Sequence, residues 1–110
     1  MRGLSKGTAV RTEPRFDEMI HAPTRLRLCA MLRPLAGAEF SAIAAMLELS
    51  EANLSKTVRN LVELGYLSSS KRASPERSDA RQITTIKLTP LGRRAFDGHL
   101  AALRAMAGDQ

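Results

Sequence analysis

Apolar positions recur along most of this chain at helical spacing, and capping or turn residues cut the pattern into short segments. Phe16 to His21 predicts a brief turn of helix, interrupted by Ala22 and Pro23. Thr24 is expected to open a stronger helix, whose apolar stripe comprises Leu26, Cys29, Ala30, Met31 and Leu32, and Pro34 and Gly37 end it. Glu39 and Phe40 suit a very short strand. Ser41 then suits an N-cap, with Ile43, Ala44 and Leu47 sharing one face of the helix that follows. Leu49 and Ser50 break that helix about two turns later.

Ser50 is a second N-cap, and Glu51 complements the positive end of a third helix, predicted over about 51–64. Gly65 fits the left-handed position that closes it. Beyond Tyr66 the texture changes. Ser68, Ser69, Ser70, Lys71 and Arg72 lead into a turn-rich stretch, and Ile83 to Leu88 alternates as a strand with Thr84, Ile86 and Leu88 on one side. The pair reads as a hairpin over about 67–88 with a long polar tip. Thr89 and Pro90 supply an N-cap and a first-turn proline for a last helix ending near Ala107.

Two short helices joined by a tight turn, the second capped and amphipathic, form a helix-turn-helix pattern. Leu49 is the apolar plug of the turn, and Ala44 is small where the two helices approach. A helical wheel turns Leu54, Val58, Leu61 and Gly65 inward and leaves Ala52, Asn53, Lys56, Arg59, Asn60 and Glu63 outward, with Ser55 and Thr57 on the flanks. Asn pairs with adenine edges, Lys and Arg with guanine, and a helix N-terminus favours a phosphate. Ser50, Asn53, Ser55, Lys56, Thr57, Arg59 and Asn60 are therefore the candidate DNA-reading set. Lys71, Arg72, Arg77 and Arg81 lie in or beside the hairpin tip, suited to the backbone or a narrow minor groove.

Charge supports this placement. The net charge is +6, and Ser50 to Arg94 holds nine Lys/Arg against four Asp/Glu, so most of the excess falls in the candidate reading segment. At 110 residues there is room for one domain, and aromatics at 4% leave a core of aliphatic side chains. Met1 to Pro14 reads as a flexible basic arm and 15–108 as the folded domain.

Four pieces in this order resemble the winged-helix regulators related to the MarR and ArsR families, and most nearly their small stand-alone winged helix DNA-binding domains. The first two are Ile20-His21-Ala22-Pro23-Thr24-Arg25-Leu26 and Leu49-Ser50-Glu51-Ala52-Asn53-Leu54-Ser55-Lys56. The others are Leu61-Val62-Glu63-Leu64-Gly65-Tyr66-Leu67 and Leu88-Thr89-Pro90-Leu91-Gly92-Arg93. The expected fold is mainly α with a small β wing: a winged helix-turn-helix of about four to five helices and a two- to three-stranded antiparallel sheet. The resemblance implies a homodimer on a pseudo-palindromic operator, usually acting as a repressor. Glu48 departs from the pattern, since many helix-turn-helix proteins place Gly in that turn.

For the dimer contact the last helix offers Phe96, Leu100, Leu103 and Ala107 as one stripe, widened by Leu91, Ala95, Ala102 and Ala105. Two-fold symmetry would then set the recognition helices about 34 Å apart. The rival arrangement packs this helix within its own protomer. No nucleophile–base pair, carboxylate pair or phosphate-cradling glycine loop points to an enzyme, and no cofactor is implied. His21, Cys29 and Asp17 make no convincing metal set. His21 reads as a satisfied helix-end residue, His99 as one that could titrate at the dimer surface, and Cys29 as a buried structural thiol. With no apolar run of about 18 residues and no secretion signal, no membrane partner is implied and the cytoplasm is expected. The competing function is a winged helix used for protein contact, which would show an apolar patch on the recognition helix.

Overall fold

The structure, a computed structural model, describes residues 12–73 and 82–108. Among these are five helices and a three-stranded antiparallel sheet: α1 (Glu18–His21), α2 (Pro23–Leu32), β1 (Ala38–Glu39), α3 (Phe40–Leu47), α4 (Glu51–Glu63), β2 (Leu67–Ala73), β3 (Gln82–Leu88) and α5 (Pro90–Met106). The strand order is β1-β3-β2. Leu67 pairs with Leu88 at the base of the hairpin, and pairing continues out to Ala73 and Gln82. Ala38 pairs with Ile86, which places β1 on the hairpin's other edge.

Local chemistry explains most boundaries. Asp17 caps α1, its carboxylate accepting from the N–H groups of Met19 and Ile20. Pro23, which interrupts α1 as expected, also occupies the first turn of α2, so that helix opens one residue before Thr24, where a missing N–H costs nothing. The clash of its ring with the preceding residue holds Ala22 in an extended conformation and ends α1. Ser41 is not an N-cap. Helix α3 starts one residue earlier, at Phe40, after Glu39, which makes no side-chain cap bond. Pairing of Glu39 with Thr85 fixes that start, so the strand is Ala38–Glu39 rather than Glu39–Phe40.

The core joins all layers. Ile20, Leu28, Cys29, Leu32, Ile43, Leu54, Leu61 and Ile86 are fully buried, with Leu67, Leu88 and Phe96 close behind. In α2 the buried set is Leu28, Cys29 and Leu32, while Ala30, expected on the apolar stripe, is exposed. Burial pushes the Cys29 thiol up to about 11, with the Asp17 carboxylate adding to the effect, so it is no ready thiolate. Arg33 grips Asp97 through two bonds of 2.8 and 3.0 Å, and Arg93 donates to the carbonyls of Arg33 and Leu35, tying the end of α2 to α5. Before α1, the N–H of Arg15 bonds the carbonyl of Gly98 at 2.9 Å, so the chain is already docked on α5 there. Residues 1–11 of the expected arm lie outside the described residues.

The tightest junction is where α4, β2 and α5 meet. Thr89 caps α5 by accepting from Gly92 N–H at 2.9 Å, and its hydroxyl donates to the carbonyl of Gly65 at 2.6 Å. The Gly92 backbone presses so closely on the carbonyl of Tyr66 that a Cβ there would collide with it. Gly92→Ala should therefore cost about 1–3 kcal/mol of stability, measurable by urea unfolding. A variant as stable as its parent would contradict the close approach.

Candidate nucleic-acid interface

Helix α4 is held from three sides. Its inward stripe, Leu54, Val58 and Leu61, is buried in the core. At its start, the Ser50 hydroxyl accepts from Asn53 N–H at 3.1 Å. At its end, Gly65 takes φ 82°, its N–H bonds the Val62 carbonyl and Tyr66 N–H bonds the Leu61 carbonyl. This paired closure is the left-handed stop expected of glycine.

The same closure ends α3, built on an unfavourable residue. Glu48 adopts φ 56° and ψ 45°, with its N–H bonded toward Ala45 and Leu49 N–H bonded to the Ala44 carbonyl. A glutamate in this region crowds its Cβ against the backbone, so the departure from Gly seen in the sequence is real strain. Leu49, half-buried against the core, holds the turn in place. The turn is short, and α4 follows directly from Ser50.

With one side anchored, the other side of α4 is open. Asn53, Lys56 and Arg59 are exposed, and Ser55, Thr57 and Asn60 are half-buried on the flanks. Thr57 donates to the Asn53 carbonyl at 3.1 Å, and Arg59 lies 3.5 Å from the Ser55 hydroxyl, a marginal distance that leaves the guanidinium available. Lys71 and Arg72 are exposed on β2. Arg77 and Arg81 fall outside the described residues. Exposed Lys87 of β3, opposite Ser68 of β2, is a further cation on the hairpin that the sequence pattern does not single out.

On α5, Phe96 is 5% exposed and belongs to the protomer's own core, while Ala95 and Leu100 pack against it half-buried. Leu91 and Ala107 are exposed and Leu103 half-buried. A cleft of about 900 Å³ runs between the segment before α1 and α5, lined by Phe16, Tyr66, Leu91, Arg94 and Ala95 among others, none of them from α4. Among the described residues no group of His, Cys, Asp and Glu could hold a metal, and no helix is long and apolar enough to cross a membrane.

A helix-turn-helix backed by a three-stranded sheet with an open polar helix is the arrangement that comparison with known proteins identifies. A family model described as a winged helix DNA-binding domain matches residues 24–107. The chain belongs to that family. Solved structures similar to this winged helix domain include a transcriptional regulator homologue from Pyrococcus horikoshii OT3, with TM-score 0.75 and 27% identity over 82% of this chain and 85% of that one. YusO from Bacillus subtilis is similar at TM-score 0.67 and 18% identity, over 83% of this chain and 61% of that one. Overoxidized AbfR bound to DNA is similar at TM-score 0.64 and 20% identity, over 77% and 59%. At these identities the last two show the fold alone, and the winged helix domain spans about three fifths of their length. No curated protein matches the chain.

Replacing Glu48 by Gly tests the strained turn. Release of about 1–2 kcal/mol of left-handed strain, less about 0.4–1 kcal/mol of unfolded-chain entropy, should stabilise the domain by about 0.5–1 kcal/mol in urea. Destabilisation by Gly would place Glu48 in an ordinary conformation.

Proposed function

We propose that this winged helix domain binds double-stranded DNA sequence-specifically as a homodimer and acts as a transcriptional regulator, in the mode of a repressor. The observation that carries the reading is α4 itself: a helix capped at Ser50, buried along Leu54, Val58 and Leu61, and open along Asn53, Lys56 and Arg59. Such a helix lies in a major groove with its N-terminal residues on base edges. Asn53 suits adenine, and Lys56 and Arg59 suit guanine O6 and N7. Lys71 and Arg72, with Arg77 and Arg81 further along the chain, supply the wing's contact to the backbone or minor groove. The named role of the Pyrococcus horikoshii protein, a transcriptional regulator homologue, and the DNA-bound state of AbfR support the same reading. A protein-contact surface is disfavoured because polar side chains occupy the outer face of α4.

The C-terminal helix supports the dimer. Phe96, His99 and Ala102 bury one stripe of α5, and Met106, four residues on, continues that stripe yet is 67% exposed. The helix outruns its own domain, and a second copy would cover Leu103, Met106 and Ala107, with Leu91 at the other end. Two-fold pairing would present two copies of α4 to successive major grooves, about 34 Å apart.

Selection from random duplexes should return a two-fold motif, and its absence would argue against a dimeric reader. On the selected duplex, Lys56→Ala or Arg59→Ala should each cost about 1–3 kcal/mol with relaxed specificity, read by gel shift. Unchanged binding removes those residues from the reading set. Affinity should also fall by about 0.9 log unit per log unit of salt for each phosphate contacted. Leu103→Asp should convert the dimer to monomer in sedimentation at micromolar concentration; a surviving dimer moves the interface elsewhere.

A further inference from the structure

The two histidines, 78 residues apart in sequence, meet in the fold. His99, expected at a surface, is fully buried on α5. Its Nδ1 accepts the backbone N–H of Asp17 at 3.0 Å, and its Nε2 lies 3.1 Å from Nδ1 of the exposed His21. A backbone N–H only donates, so Nδ1 of His99 carries no hydrogen, and the neutral ring's single proton sits on Nε2 and is donated to His21. The Phe16 ring lies against both, with centroids 4.6 Å from His99 and 4.9 Å from His21.

Asp17 extends this relay. One carboxylate oxygen caps α1, and the other accepts the Tyr66 hydroxyl at 2.6 Å. Tyr66 follows the closure of α4, and its carbonyl accepts Thr89 N–H at the start of α5. One residue thus joins α5, α1 and the root of the wing.

We propose that His99, bonded between Asp17 and His21, is a proton-operated latch, which pins residues 12–21 to α5 and to Tyr66 while its ring is neutral and releases them when that ring takes up a proton. Every hydrogen in the relay points one way, so an added proton has no acceptor. On Nδ1 of His99 it faces the Asp17 N–H, and that bond must break.

The groups facing His99 are Asp17 from the segment before α1 and His21 from α1. Cys29 of α2 and Tyr66 bear on the same Asp17, and Arg15 bears on Tyr66. Burial first, then the charge of His21, hold the imidazole of His99 below its ordinary 6.5, against a smaller opposing pull from Asp17. A folded value below the unfolded one makes the latch's contribution complete above about pH 6.5 and lost as pH falls from there through the folded value. The Tyr66 hydroxyl, pushed up to about 12 by burial and by its bond to Asp17, stays protonated throughout.

The latch does not depend on what α4 binds, and its test uses the full chain without DNA. Tyr66 is the one tyrosine and there is no tryptophan, so intrinsic emission reports the Tyr66–Asp17 bond, which quenches it. On titration from about pH 8 to about pH 5, emission should rise through one transition centred below about 6.5 while far-UV circular dichroism shows the helices intact. His99→Asn keeps an acceptor for the Asp17 N–H but cannot titrate, so its emission should stay low and flat. His21→Gln removes a neighbouring charge and should move the midpoint up. A flat wild-type trace, or the same transition in His99→Asn, overturns the latch. Should His99→Asn fail to fold, His21→Gln decides: a midpoint that stays or falls overturns it.

Discussion

Leu54, Val58 and Leu61 recur along α4 at the spacing that lines up one face of a helix, and their burial fixes how that helix is rotated about its own axis. The face carrying Asn53, Lys56 and Arg59 is open because the opposite face is committed to the core. A rotation of a quarter turn would bury a lysine without a partner and expose leucine, and both changes are costly. The polar surface of α4 is therefore set by apolar packing, and that face has no freedom to choose another orientation.

Rotation alone does not place the helix; its ends do. Ser50 starts it, and the left-handed closures at Glu48 and Gly65 fix where the chain enters and leaves. The exit is bound most closely. Thr89 bonds the carbonyl of Gly65, and Gly92 sits against the carbonyl of Tyr66, so α4, the base of the hairpin and α5 share one small junction. Tyr66 also reaches Asp17, which brings the segment before α1 into the same network. His99 is thus linked through Asp17 to Tyr66, whose N–H closes the end of α4, so a proton on its ring would be felt there.

The parts of this arrangement visible in the sequence are those with local causes. Ser50, Gly65 and the Thr89–Pro90 pair announce their helix ends because capping is chemistry within a few residues. The alternation through Thr84, Ile86 and Leu88 announced β3 for the same reason. Misreadings arose where a distant partner decided. Ser41 is a good cap by propensity, yet β1 pairing with β3 starts α3 at Phe40. The interruption at Ala22 and Pro23 is where the sequence puts it, although the ring that ends α1 also opens α2 one residue before Thr24. His99, expected at the dimer surface, lies instead on the buried stripe of α5 with Phe96 and Ala102. Its partners, Asp17 and His21, come from the other end of the chain and only the fold supplies them.

Methylation interference on the selected duplex tests the central claim most directly, because a methyl on guanine N7 projects into the major groove and one on adenine N3 into the minor groove. If α4 lies in the major groove, N7 methylation should abolish binding in two short blocks about 10–10.5 base pairs apart, centre to centre. Interference confined to adenine N3, or none at all, would contradict a base-reading role for Asn53, Lys56 and Arg59.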